Sequence, residues 1–195
     1  MGNPCSIRNM LKKIGHDSII SDAGNDLSNA TKLIIPGVGA FDAAMRELKN
    51  RGIVRRLTEL VLEKKIPTLG ICLGMQLMTE GSEEGEAEGL GWVKGQTRHF
   101  SNRIGAGHKI PHMGWNLIKQ EKSSRLLEGF ELESRFYFVH SYHVELARPD
   151  DLLLSAEYGF RFDAAFEVGN IMGVQFHPEK SQRFGFRFLS NFADI

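Results

Sequence analysis

The short apolar run Ile66–Cys72 ends in Gly70-Ile71-Cys72-Leu73-Gly74, and a helical segment of roughly Met75–Thr79 follows without a spacer. A strand that turns this abruptly into a helix, with a glycine two positions either side of a cysteine, has the form of a nucleophile elbow with sulfur in place of oxygen. The small residues let the chain bend tightly and bring Cys72 to the surface in a strained conformation. The helix behind it would aim its N-terminal dipole and free N–H groups at the sulfur, which favours thiolate. The backbone N–H of Leu73 would then face a developing oxyanion. An isolated cysteine in a strand is usually mere packing, so the two glycines and the strand-to-helix context carry this reading.

Around that turn the chain alternates. Ser6–Ile14 has Ile7, Met10, Leu11 and Ile14 at helical spacing, with Gly15 as a stop signal. Short apolar runs at Ser18–Ser21 and Lys32–Ile35 predict strands, separated by a polar stretch with Gly24, Asn25 and Asp26. Phe41–Lys65 is periodic and broken near Gly52. Strands alternating with helices predict an α/β protein with an open, mostly parallel sheet covered on both faces. The second half has turn-separated runs at Gly89–Val93, Arg98–Phe100, Trp115–Ile118, Phe136–Val144, Leu152–Tyr158 and Ala164–Phe166. These predict an antiparallel extension. A last strand, Ile171–Phe176, precedes His177, and Arg183–Phe192 predicts a closing helix. The acidic cluster Glu80–Glu88 reads as a solvated loop.

At 195 residues, with no repeat and no long linker, the chain reads as one domain, residues 1–195. Its 24 Lys and Arg balance 24 Asp and Glu, leaving no long-range field for nucleic acid or anionic lipid. Neither partner is expected. No apolar run is long enough to span a bilayer and no secretion signal opens the chain, so a cytoplasmic location is expected. Cys5 and Cys72 are expected as free thiols, with Cys5 inert on the first helix.

A thiolate nucleophile needs an acid/base partner. Of seven histidines, His177 follows a predicted strand directly and is held by Pro178, and open parallel sheets gather catalytic groups at such strand ends. Glu179 is placed to accept from its imidazole and fix its direction. Taken alone, Glu179 would be an exposed loop carboxylate. Pro36-Gly37-Val38-Gly39 closes a strand, and its glycines permit positive φ and close approach of a substrate; it is either a second source of an oxyanion N–H or only a tight turn. No histidine set has metal spacing, and neither metal nor cofactor is expected.

The strings PGVG, GICLGMQ and QFHPE, in that order, resemble the class I, or triad, glutamine amidotransferases. PGVGAF, IPHMGWN, YFVHSY and QFHPEKSQ resemble one branch, the glutaminase subunit of imidazole glycerol phosphate synthase. The resemblance implies a flavodoxin-like fold and a γ-glutamyl thioester on Cys72, with His177 as acid/base and Glu179 orienting it. It also implies that Gly37, Val38, Gly39, Leu73, Gln76, Glu84, His140, Ser141 and Tyr142 hold glutamine or its oxyanion. Asn3, Trp115, Asn116, Tyr137 and Lys180 match positions at the subunit interface and ammonia exit. The implied partner is a cyclase/synthase subunit, in a heterodimer that passes ammonia onward for histidine biosynthesis. Without the match, Trp115, Tyr137 and Lys180 would read as core, strand and surface.

Members of that family open with a hydrophobic strand before a glycine-rich turn, of which Met1-Gly2-Asn3 remains. The expectation is therefore a sheet lacking its first strand, a chain of low solubility, and a natural start upstream. Tyr142-His143 stands where the histidine-pathway branch often has two tyrosines, and Asp163–Gly169 fits loosely. A paralogue feeding ammonia to the amidation of a surface-polysaccharide sugar is the alternative reading. A non-catalytic binding module and a cysteine peptidase on a related fold are the others.

Overall fold

The computed structural model describes residues 4–21, 26–27, 29–105 and 107–195. The expected interface residue Asn3 and the turn residues Gly24 and Asn25 lie outside them.

The sheet is built around two neighbouring, fully buried strands. Thr68–Cys72 (β2) pairs in parallel with Leu33–Gly37 (β1) on one side and Ile171–Val174 (β10) on the other. Alternate residues of these strands face opposite layers. Leu69, Ile71, Met172 and Val174 join one core cluster with Ile7, Met10 and Leu11 of the helix Pro4–Lys13 (α1) and Phe188, Leu189 and Phe192 of the C-terminal helix Gln182–Ala193 (α5). Leu33 and Ile171 face the other layer, where Leu57, Leu60 and Val61 of Val54–Thr58 (α3) and the π-turn Glu59–Glu63 meet Met75. Phe41 and Met45 of Phe41–Asn50 (α2) meet Leu73 and Leu77 of Leu73–Leu77 (α4) in a third cluster. Each large side chain so buried contributes about 1.5–3 kcal/mol.

Beyond β10 the sheet turns antiparallel. Its order is β1-β2-β10-β9-β7-β3, using Arg161–Val168 (β9), Tyr142–Leu146 (β7) and Gly95–His99 (β3). Leu152–Glu157 (β8) pairs with β9, and Lys119–Gln120 (β5) pairs with β8. A separate two-stranded ribbon joins His112–Leu117 (β4) to Arg135–His140 (β6), with Trp115 opposite Tyr137 and His112 opposite His140. The α/β fold with a parallel portion and an antiparallel extension agrees with expectation, the parallel part being confined to β1, β2 and β10.

Three local expectations fail for physical reasons. Ser18–Ser21 forms no strand, and Ile19 is 75% exposed. A strand needs a ladder partner, and among the described residues β1 bonds only to β2. Gly89–Val93 is not a strand either. Its N–H groups go to the carbonyls that end α4: Leu90 to Leu77, Trp92 and Val93 to Met78. It caps a helix that would otherwise leave those carbonyls unpaired. The acidic segment is bound rather than merely solvated, with Glu80 on Lys94, Glu83 on Arg98 and Asn102, and Glu84 on the Phe41 N–H.

Candidate active site

The glycines flanking Cys72 serve packing more than bending. A Cβ on Gly70 would lie 2.7 Å from the Gly74 carbonyl, and one on Gly74 would lie 1.8 Å from the Ile35 carbonyl of β1. The helix α4 therefore sits directly on the strands that precede it. The strained residue is Cys72 itself, at φ 53 and ψ −110, a region that L-residues rarely adopt. Against expectation the bend does not bring Cys72 to the surface: it is 7% exposed, covered by the packing of α4 on the strands.

The register of β2 with β10 ends on Ile71 opposite Val174. Cys72 and Gln175 come next on neighbouring parallel strands, and His177 stands two residues further, at the same carboxyl edge. Glu179 Oε1 lies 2.7 Å from His177 Nδ1, and both side chains are buried. Among the described residues, His177 Nε2 and Glu179 Oε2 find no hydrogen-bond partner. The loop is pinned from behind: the His177 N–H donates to the Tyr137 carbonyl at 2.9 Å, and the Ser181 hydroxyl donates to the His177 carbonyl while accepting the Tyr137 N–H.

Burial separates the histidines here. It pushes His112 down to about 4, His140 well below the ordinary imidazole value, and His143 down as well. Burial opposes protonation of His177 too, but Cys72 and Glu179 beside it outweigh that cost and raise its pKa to about 9. One buried imidazole out of four is thus cationic at neutral pH, and it is the one between a thiol and a carboxylate.

The other expected residues fall in three groups. Gly37 pairs with Cys72 in register, and its Cβ position lies 2.9 Å from Leu73 Cβ and Gly74 N. Gly39 has φ 107 with open space, and Val38 between them is exposed. Gln76 is buried and donates to the Tyr142 carbonyl at 3.2 Å, a carbonyl that His140 Nδ1 also meets at 2.7 Å. Glu84 accepts the Phe41 N–H at 2.7 Å, tying the helix after Gly39 to the acidic loop.

On the ribbon, Trp115 is 44% exposed and edge-on to Tyr137 at 6.3 Å, with Lys180 Nζ 5.5 Å over the Tyr137 ring. Asn116 turns inward instead, to the Glu157 carbonyl and His112. His143 packs against Phe100 and Phe160. Gln175 is fully buried with its Nε2 3.5 Å from Cys72 Sγ, and sequence reasoning does not single it out. A polar side chain inside an otherwise apolar strand is the available signal. Among the described residues no cluster of His, Cys, Asp or Glu is arranged to hold a metal, and no helix is long and apolar enough to cross a membrane.

The family model of the class-I glutamine amidotransferases matches residues 5–194. The imidazole glycerol phosphate synthase subunit HisH 2 of Pseudomonas aeruginosa is 46% identical, over all of this chain and 96% of its own length. The HisH subunit of Bdellovibrio bacteriovorus is also 46% identical, with the same coverage. A solved glutamine amidotransferase superposes with a TM-score of 0.76 at 18% identity, covering all of this chain and 95% of that one. The glutaminase domain of Trypanosoma brucei CTPS, solved with bound acivicin, gives 0.64 at 18% identity, covering 98% of this chain and 86% of that one.

Proposed function

Because the chain belongs to the class-I glutamine amidotransferase family, we propose that it is a single-domain cytoplasmic glutaminase subunit. It cleaves the side-chain amide of glutamine and passes the ammonia to a cyclase/synthase subunit, which makes imidazole glycerol phosphate and AICAR in histidine biosynthesis. The names of relatives at 46% identity support the pathway. The observation that carries the chemistry is the His177–Glu179 pair, Nδ1 to Oε1 at 2.7 Å, at the carboxyl edge where the β2–β10 register ends beside Cys72; the raised pKa of His177 agrees with it.

An imidazolium beside the thiol favours the ion pair in which Cys72 is thiolate and His177 carries the proton. The sulfur attacks the amide carbon, and its electrons move onto the carbonyl oxygen. Leu73 N–H and a peptide of the Gly37–Gly39 turn meet that oxyanion. On collapse, His177 gives its proton to the departing nitrogen, so ammonia leaves and a thioester remains. Water then loses a proton to His177 and attacks the thioester, releasing glutamate and restoring the thiolate. Glu179 keeps the ring oriented throughout. Gln76, Glu84, Ser141 and Tyr142 bind the glutamine backbone end, and the Trp115, Tyr137 and Lys180 face meets the partner.

Cys72→Ala tests the reading. Glutamate release in the presence of the synthase partner and its acceptor should fall by roughly a thousandfold or more, with the melting temperature little changed. Activity retained by Cys72→Ala removes the assigned nucleophile.

A further inference from the structure

Gln175 lies beside Cys72 where the β2–β10 register ends. Its own N–H is spent on the Ala164 carbonyl at 2.8 Å, so the side chain is held by a backbone that does not move freely. Nε2 meets Cys72 Sγ, and Oε1 accepts from Gln76 Nε2 at 3.0 Å. This amide cannot be turned round. The Tyr142 carbonyl only accepts, so the Gln76 atom facing it is nitrogen. The same nitrogen meets Gln175, which leaves the Gln175 amino group to face the sulfur.

The same logic runs outward from Tyr142. His140 Nδ1 must carry its proton toward that carbonyl, so Nε2 of the neutral ring accepts from His112 Nδ1 at 3.0 Å. His112 Nε2 then accepts from Asn116 Nδ2 at 3.3 Å, whose second N–H goes to the Glu157 carbonyl at 2.8 Å. Backbone carbonyls at Glu157 and Tyr142 thus set the direction of every bond in the chain.

We propose that Gln175 is a positioning residue for the nucleophile, donating its amide N–H to Cys72 Sγ in an orientation imposed by the Tyr142 carbonyl through Gln76. It rests on the assignment of Cys72 above. A donor aimed at sulfur stabilises thiolate over thiol and fixes the direction from which the sulfur attacks. The chain of hydrogen bonds begins on β4, the strand that carries Trp115, so the ribbon and the sulfur share one hydrogen-bond network.

The test is the pH dependence of Cys72 alkylation by iodoacetamide in the complex with the synthase partner, followed on the Cys72 peptide by mass spectrometry because Cys5 is also a free, exposed thiol. His177, with Glu179 behind it, faces Cys72 and is kept in every variant. Gln175→Met keeps length and removes the donor; Gln175→Glu keeps an acceptor for Gln76 and sets oxygen against the sulfur. The alkylation midpoint should rise by about one pH unit in Gln175→Met and further in Gln175→Glu. In Gln175→Met, kcat for glutamate release should fall roughly tenfold at pH 7, with a smaller change in KM, and should recover as pH is raised. Gln76→Met, which removes the amide that orients Gln175 and leaves Gln175 itself in place, should move the midpoint the same way by about half a unit and gives the answer if the Gln175 variants do not fold. An unmoved midpoint with activity that higher pH does not restore reduces Gln175 to packing, and an unmoved midpoint in Gln76→Met removes the imposed orientation. Active Cys72→Ala would instead sink the reading of the nucleophile, so the two failures are distinct.

Discussion

The three parallel strands β1, β2 and β10 and the ribbon β4–β6 meet near Cys72 and His177, and they fix geometry by opposite means. Among the parallel strands and α4, Gly37, Gly70, Gly74 and Gly173 have no room for a side chain: a Cβ would come within 1.8 to 2.9 Å of neighbouring atoms. The ribbon's Gly114 has open space around it. The ribbon's order comes from alternation, with His112, Phe136, Phe138 and His140 buried while Met113, Trp115 and Leu117 are exposed. Exclusion of volume holds the strained Cys72 in one conformation. Directional hydrogen bonds on one ribbon face hold the polar surroundings, and the other face, with Met113, Trp115 and Leu117, is exposed.

The largest effect that would break this contrast is at Gly74. Gly74→Ala forces a methyl into the Ile35 carbonyl, with backbone on both sides and no side chain able to give way. It should cost more than about 4 kcal/mol, against a total of about 5–15 kcal/mol for an ordinary domain. Gly114→Ala meets only the penalty of its φ of 130, roughly 1–2 kcal/mol. Urea denaturation of both variants decides the matter, and equal losses would erase the distinction between the two regions.

A smaller effect comes from His177. Its folded pKa of about 9 lies above the unfolded value of 6.5. A raised pKa contributes stability that is fully present below about pH 6.5 and is lost as pH rises through about 9. The shift corresponds to roughly 3 kcal/mol. His177→Gln should therefore be most destabilised relative to the parent near pH 6, and the gap should narrow by roughly that amount by pH 10. Denaturation curves at the two pH values measure it. A constant gap would mean that the Cys72, His177 and Glu179 group is held by packing alone.

How much of this is legible in the sequence follows from the same contrast. The parallel region announces itself, because Gly70 and Gly74 around Cys72 and Pro178 after His177 are backbone constraints with few alternative explanations. Even there the pattern points to the wrong reason for the glycines: they admit the helix onto the strands, and the positive φ belongs to Cys72. The ribbon's inner face is opaque. His112 and His140 look like any other histidine in sequence, and which become neutral donors depends on burial and on carbonyls, those of Tyr142 and Glu157, contributed by other strands. Gln175 escapes notice because its partners, Gln76 and Cys72, are about a hundred positions away in the chain. Ser18–Ser21 has the look of a strand since four apolar or small residues fit that pattern, yet strand formation is decided by a neighbour.

The smallest effect on the isolated chain, and the one that sharpens the comparison most, is expected at Trp115. Its indole is 44% exposed and has an edge contact with Tyr137 at 6.3 Å. Removing it should cost less than about 1 kcal/mol of folding stability, the range for an exposed aromatic pair. If the ribbon's outer face meets the synthase partner, the same Trp115→Ala change should weaken that complex by about 2 kcal/mol, roughly thirtyfold in Kd, since exposed aromatics at interface centres carry most of the binding energy. Calorimetric titration of the two proteins, beside melting curves of the free chain, separates the two quantities. A large loss of stability with unchanged affinity would make Trp115 part of the core after all and would move the partner surface elsewhere. An unchanged chain with a weakened complex would place the division between structure and recognition within a single strand, at the step from Asn116, whose amide is turned inward to Glu157 and His112, to its neighbour Trp115.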